Sequence, residues 1–316
     1  MRLAKSSLVM VAALIVALTT ARGEDSPMSD EMAWKLQELG RVIDPPKTAA
    51  LYAPLQEKEP YRGIKVERDV KYGPAERNLL DVFVPEAGSS QRPVLIFVHG
   101  GAFVAGDKRG ANGSPFYDNI MLWAVKHGFV GVNMTYRLAP QSPWPAAAED
   151  LSAAMRWVAD NIASRGGEPT RIYMMGHSAG ASHVATYASH PEFWGSTDSP
   201  LAGAILVSGL YDLTDMPPDA GPSAYYGRDT ALYAERSSVN GLLQSKTPLM
   251  IAAAELDPPR FVDQFNRLRD ARCKAASGCA HAILLTQHSH MSEVFSINTS
   301  DDRLTREILE FVASGK

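Results

Sequence analysis

The sequence predicts an α/β fold in which a mostly parallel sheet carries helices on both faces. Three observations carry this. Apolar runs recur along the chain without the polar alternation of a half-exposed strand, as expected of strands covered on both sides. Helical patterns lie between those runs, and strand–helix alternation of this kind builds parallel sheets. The chain has 316 residues, 45% hydrophobic and 21% charged, enough for one such domain or at most two.

The elements follow in order. Residues 24–60 are polar, with an amphipathic run from Met32 to Leu39 and breakers at Pro45, Pro46, Pro54 and Pro60; they read as an N-terminal extension draped on the domain. "GIKVERDVKYG" (63–73) and "NLLDVFVP" (78–85) alternate and are expected to pair as an antiparallel edge. Buried strands are expected at "PVLIFVHGG" (93–101), "FVGVNMTY" (129–136), "RIYMMG" (171–176), "LAGAILVSG" (201–209), "PLMIAAAE" (248–255) and "AILLT" (282–286). The clearest helix spans 146–164, where Leu151, Met155, Val158 and Ile162 fall at three- and four-residue steps. Further helices follow Ser178, Phe261 and Asp302. Residues 212–247, with Pro217, Pro218, Pro222, Tyr225 and Tyr226, form an insertion over the carboxyl edge of the sheet, where open α/β sheets bind ligands. The main domain is thus assigned to 61–316.

The first residues read differently. Arg2 and Lys5 precede an apolar run from Leu8 to Leu18, and small residues follow at Ala21 and Gly23. That is the pattern of a secretory signal peptide over 1–23, implying a secreted or periplasmic protein. The run is too short to span a bilayer, which takes about 20 residues, and no Cys near the cut offers a lipid anchor. The formal charge of −4 becomes −7 once Arg2, Lys5 and Arg22 are removed. Nucleic acid and anionic membrane are therefore not expected partners, since both require a basic face. Cys273 and Cys279, six residues apart in an exported chain, read as a disulfide with Cα atoms about 4.4–6.8 Å apart.

"GHSAG" (176–180) follows a buried strand and opens a helix. On a tight strand-to-helix turn the flanking glycines let backbone approach closely and Ser178 projects as a nucleophile. A serine hydroxyl needs a base, and the base needs an orienting carboxylate, in the chain order Ser, acid, His. Asp257, beyond the strand 248–255, is preferred to Glu255, which lies nearer the strand. His290 is preferred to His288, which belongs to the approach loop. His127, His183, His190 and His281 read as ordinary surface or helix residues, and His99 as a structural hydrogen-bonding residue. The N–H groups of "HGGAF" (99–103), with that of Ala179, are expected to converge on a developing oxyanion. No metal or cofactor is assigned.

These pieces resemble the α/β-hydrolase carboxylesterases related to hormone-sensitive lipase and to acetyl-xylan or feruloyl esterases. The matching motifs are "HGGAF", "YRLAP" (136–140), "PWPAAAED" (143–150), "GHSAG", "ELDPP" (255–259) and "HSHMSEV" (288–294), spanning residues 93–294. The resemblance implies a triad of Ser178, Asp257 and His290, with Gly100, Gly101, Ala102 and Ala179 around the oxyanion. Ala102 departs from the third Gly of many relatives, which bears on substrate shape, since its N–H remains. Arg137 and Asp150 read as structural charges.

The expected activity is hydrolysis of small-molecule esters with short acyl groups through an acyl-enzyme. An arylformamidase or small peptidase would use the same residues. A lipase is disfavoured by the short insertion without a long amphipathic lid, and a non-enzymatic binding protein by the intact Ser, Asp, His and oxyanion loop. Trp144, Tyr225 and Phe261 are expected to bound the acyl pocket.

Overall fold

Each central strand divides its side chains between two cores, and this two-residue alternation organises the molecule. In β3 (Arg92–Val98), Val94, Ile96 and Val98 face one core while Leu95 and Phe97 face the other. The same division recurs in β6 (Gly203–Val207) and β7 (Leu249–Leu256). The computed structural model describes residues 28–88, 91–111, 113–195, 199–218 and 221–315. The expected signal segment 1–23 lies outside the described residues.

Eight strands form one sheet in the order β1-β2-β4-β3-β5-β6-β7-β8. The others are β1 (Ile64–Lys71), β2 (Leu79–Pro85), β4 (Val130–Met134), β5 (Gly167–His177) and β8 (His281–Ser289). β1 pairs antiparallel with β2 and β2 antiparallel with β4. Every other pairing is parallel. The expected antiparallel edge and mostly parallel sheet are both present, and all eight expected strands form.

Helices cover both faces. The core with Val94 takes side chains from α4 (Ala146–Asn161), α5 (Ala179–Ser189) and α9 (Pro259–Arg272). The core with Leu95 takes them from α1 (Asp30–Leu39), α3 (Asp118–Lys126), α10 (Ser292–Phe295) and α11 (Arg303–Ser314). α1 begins where Ser29 accepts a hydrogen bond from the Met32 N–H and ends at Gly40. α2 (Pro45–Tyr52) starts on an Asp44 cap with Pro45 at its first position. The described part of the extension, residues 28–60, forms these helices and buries Leu36 and Tyr52 against the domain.

Residues 212–247 contain only short helices among those described: α6 (Ser223–Tyr226), α7 (Tyr233–Arg236) and α8 (Val239–Gln244). Tyr225, Tyr226 and Tyr233 are buried. Tyr225 stacks on Phe103 with ring centres 5.5 Å apart and meets His183 edge-on at 4.8 Å. These rings fasten the segment to the domain beneath it. Cys273 and Cys279 are bonded, their Cα atoms 4.0 Å apart, a little closer than the expected window. The bridge joins positions six apart in sequence and closes a short loop after α9.

Candidate active site

The site lies at the carboxyl ends of the parallel strands. β5 ends at His177, α5 begins at Ala179, and Ser178 makes the turn between them at φ 57° and ψ −122°. L-residues rarely adopt that backbone, and holding one there costs about 1–3 kcal/mol. The flanking glycines make the turn possible. A Cβ on Gly176 would stand 2.3 Å from the Gly180 carbonyl oxygen, and one on Gly180 would stand 2.1 Å from that of Val98. Neither position has room for a side chain.

His290 follows β8 and is buried, as is Asp257 in the loop after β7. The His290 ring bridges the other two residues. Its Nε2 lies 2.9 Å from Ser178 Oγ and its Nδ1 lies 2.6 Å from Asp257 Oδ1. With Nδ1–H donating to the carboxylate, Nε2 is free to accept the serine hydroxyl. The other carboxylate oxygen accepts from Ser208 Oγ at 2.5 Å and from the Ala254 N–H at 2.9 Å. Those donors fix the plane of the carboxylate, and with it the ring.

The two competing residues lie elsewhere. Glu255 accepts the Gln287 N–H at 2.7 Å. His288 is buried against Asp301, Nε2 to Oδ2 3.1 Å, with its Nδ1 3.0 Å from Ser292 Oγ. Arg303 and His288 together hold the Asp301 carboxyl well below the ordinary range, against the opposing effect of burial. Arg137 pairs with Asp150 at 2.9 Å, away from the cavity.

Gly100, Gly101 and Ala102 line the cavity beside Ser178 and Ala179. Gly101 sits at φ 133°, where a Cβ would collide with the Ala105 carbonyl oxygen. Ala102 takes φ 52°, a left-handed conformation that a glycine would hold without strain. The turn is closed by the Val104 and Ala105 N–H groups, both bonded to the Gly101 carbonyl. Among the described residues, no hydrogen bond takes the N–H of Gly101, Ala102 or Ala179. His99 stacks on Tyr136 beneath this loop, ring centres 4.5 Å apart, and its Nδ1 lies 2.6 Å from the Gly100 carbonyl oxygen. Burial lowers its pKa to about 3, so it is neutral.

A second buried group adjoins His290. His177 Nε2 lies 2.8 Å from the His290 carbonyl oxygen and 3.2 Å from Glu293 Oε1. Burial drives His177 well below its ordinary pKa, so the ring is neutral and Nε2–H donates to that carbonyl. Burial, with the Asp257 charge nearby, drives the Glu293 carboxyl well above the ordinary range. Ligand atoms of His177, His290 and Glu293 all lie within 4.8 Å of one another. Both His290 nitrogens already have partners in Ser178 and Asp257, so a cation there would have to displace that arrangement.

The cavity over Ser178 has a volume of about 490 Å³. Of the three residues expected to bound it, only Phe261 does so. Trp144 and Tyr225 belong to the aromatic packing behind the oxyanion loop: Tyr225 is sealed off by Phe103, and Trp144 meets its ring edge-on at 6.2 Å. Leu210 and Pro222 take their place on the wall. Ile43 and Pro45 also line it. Arg41, two residues earlier, donates to the Asp257 carbonyl oxygen at 3.3 Å. Nothing local in residues 24–60 signals this contact, which joins positions 216 apart in the chain. Ser208 was equally hidden, although its place at the end of β6 is the kind that delivers site residues.

The sheet order, the strained serine turn and the glycine loop define an α/β-hydrolase fold. Residues 80–261, more than half of the chain, match the BD-FAE family, and the chain belongs to it. Similar proteins include the esterase LipQ of Mycobacterium tuberculosis, 38% identical over 46% of this chain and 36% of its own. The carboxylesterase NlhH of the same species is 29% identical over 61% of this chain and 65% of its own. The first relatives are thus matched over roughly a quarter to a third of their own length. Among solved structures, esterase B of Lactobacillus rhamnosis superposes with a TM-score of 0.69 at 19% identity, over 90% of this chain and 95% of its own. An esterase of Pyrobaculum calidifontis gives 0.64 at 21% identity, over 92% and 98%.

Proposed function

We propose that the chain is a carboxylic ester hydrolase that acts on short-chain acyl esters through an acyl-enzyme. The observation that carries this reading is the His290 ring, 2.9 Å from Ser178 Oγ on one side and 2.6 Å from Asp257 on the other. Relatives named as esterases and carboxylesterases support it.

Ser178 Oγ attacks the ester carbonyl carbon while its proton passes to His290 Nε2. The carbonyl oxygen gains the displaced electron pair and turns toward the N–H groups of Gly101, Ala102 and Ala179. Asp257 stabilises the imidazolium without taking its proton. The intermediate collapses, the C–O bond to the alcohol breaks, and the leaving alkoxide takes the proton from His290. Water then repeats the sequence on the acyl-enzyme, losing its proton to His290 and releasing the acid and free Ser178. Leu210, Phe261 and Met291 offer the carbon chain of the substrate an apolar wall.

Ser178→Ala should lower ester hydrolysis by on the order of 10⁴-fold or more, with the fold retained. The assay compares p-nitrophenyl acetate, p-nitrophenyl palmitate and N-formylkynurenine on wild type and variant. Activity within tenfold of wild type in the variant rejects Ser178 as nucleophile. A wild-type preference for N-formylkynurenine over both esters replaces the ester reading with an amide one.

A further inference from the structure

The cavity wall is apolar apart from Ser178, two histidines, Tyr117 and one other residue, Arg260. Arg260 is the second residue of α9 and is exposed. Among the described lining residues it alone carries a full charge at neutral pH. Its guanidinium stands 5.0 Å over the centre of the Phe261 ring, and that ring's centre is 4.5 Å from the centre of His290. The cation is therefore held one aromatic ring away from the base of the reaction.

Among the described residues, no acid lies within ion-pairing distance of it. Asp257, three residues earlier, is buried and turned toward His290, Ser208 and the Ala254 N–H. Asp215 and Asp263 share a neighbouring groove with Arg260, and Asp215 is paired there with Arg267. The contact with Phe261 orients the guanidinium but leaves its charge and its N–H fork unsatisfied. Arg41 brings a second cation to the same turn, through its bond to the Asp257 carbonyl. Arg260 thus places a positive side chain on the wall of an apolar cavity in a chain of net charge −4.

We propose that Arg260 forms an anion subsite at this mouth, so that the preferred ester carries a carboxylate a few bonds from the scissile carbonyl. This rests on the ester-hydrolase reading above. A carboxylate matches the planar fork with two parallel hydrogen bonds, and the apolar wall takes the carbon chain between it and the ester. The same carboxylate would meet no repelling side-chain charge on the cavity wall.

Matched pairs test this by pH-stat: monomethyl succinate against methyl butyrate for a charge on the acid side, and 4-acetoxybenzoate against phenyl acetate for a charge on the alcohol side. In wild type, one anionic member should show the higher kcat/KM, chiefly through a lower KM, with the advantage shrinking as salt screens it. Arg260→Gln should lower the anionic-to-neutral ratio about three- to tenfold, the range of a part-exposed charge pair. Arg260→Lys should fall between, since it keeps the charge and loses the fork. Because a ratio is read, general loss of folded enzyme cancels; if neither variant folds, the salt dependence of the wild-type ratio decides. Hydrolysis of the neutral esters with no advantage for either anion, or a ratio unmoved by Arg260→Gln, overturns the subsite and leaves the ester reading standing. Failure to hydrolyse any of the four removes the ester reading and the subsite with it.

Discussion

Glu293 is completely buried three residues after His290, and neither of its carboxyl oxygens has a hydrogen-bond partner among the described residues. An ionised carboxylate in that position would face the Asp257 charge across a low-dielectric gap, which is the costly arrangement. The groups around it are His177, kept neutral by burial, the His290 ring, Asp257, the Ser208 hydroxyl, which opposes the effect of burial, and the Tyr211 phenol, whose pKa burial also raises. Glu293 is therefore protonated in the folded state at pH values where the unfolded carboxyl, near 4.3, has already ionised. The folded state then binds more protons than the unfolded one, so stability falls as pH rises from about 4.3 toward the raised value. Glu293→Gln keeps the shape and removes the titration. Relative to wild type, the variant should gain stability with rising pH, by at most about 1.4 kcal/mol per unit. Urea unfolding of both proteins between pH 4.5 and 8 measures this. A wild-type-to-variant difference that stays constant over the range means that Glu293 titrates alike in both states, and the assignment of its charge fails.

At the scale of elements, the strands were readable because burial on both faces writes itself into consecutive residues. α3 was not. Asp118–Val125 is buried all round, so its sequence lacks the polar face that makes a helix periodic, and it passes for featureless apolar chain. The juxtaposition of Ser178, Asp257 and His290 was readable for a related reason: each follows a recognisable strand, and the strands of a parallel sheet end together. Contacts made by the N-terminal extension had no such signal, because a wall built by a distant segment leaves no local pattern. That wall has a measurable consequence. Ile43 is 40% exposed yet lines the cavity, so truncating it should disturb substrate more than fold. Ile43→Ala should lower the butyryl-to-acetyl ratio of kcat/KM about three- to fivefold, since roughly one buried methylene is worth about 0.8 kcal/mol. Thermal stability should change by no more than about 0.5 kcal/mol, as for other exposed positions. An unchanged ratio on p-nitrophenyl acetate and butyrate removes the extension from the acyl site.

On the proposed ester reading, the whole molecule sets how large a substrate fits. A cavity of about 490 Å³ is an ordinary size for a small ligand, within the usual range of about 300–1,000 Å³, and acid and alcohol portions must share it. Its walls are set by packed elements: Phe261 on α9, Leu210 after β6, and the extension at Ile43 and Pro45. Expansion would require one of these to move. A lipase solves the problem with a lid whose apolar face opens onto oil, and an apolar face of that extent is costly to leave in water. Here the 212–247 segment turns its tyrosines inward onto Phe103 and His183, and its described helices are six residues or shorter. Among its described residues, the apolar side chains Leu213, Tyr225, Tyr226, Tyr233 and Leu242 are packed into the core of the domain, and only Gly221 and Pro222 line the cavity. Methylenes that enter the cavity gain about 0.8 kcal/mol each, while one that meets a fixed wall loses more than that. The acyl-length profile should therefore rise briefly and then fall, with acetyl to butyryl esters preferred. The measurement is kcat/KM on p-nitrophenyl esters from two to about sixteen carbons, each with and without an emulsified surface, the span over which a transfer gain per methylene would otherwise keep accumulating. A maximum at about ten carbons or beyond, or a rate that jumps when an interface is supplied, would show that the walls yield and that the segment over the sheet edge is a lid after all.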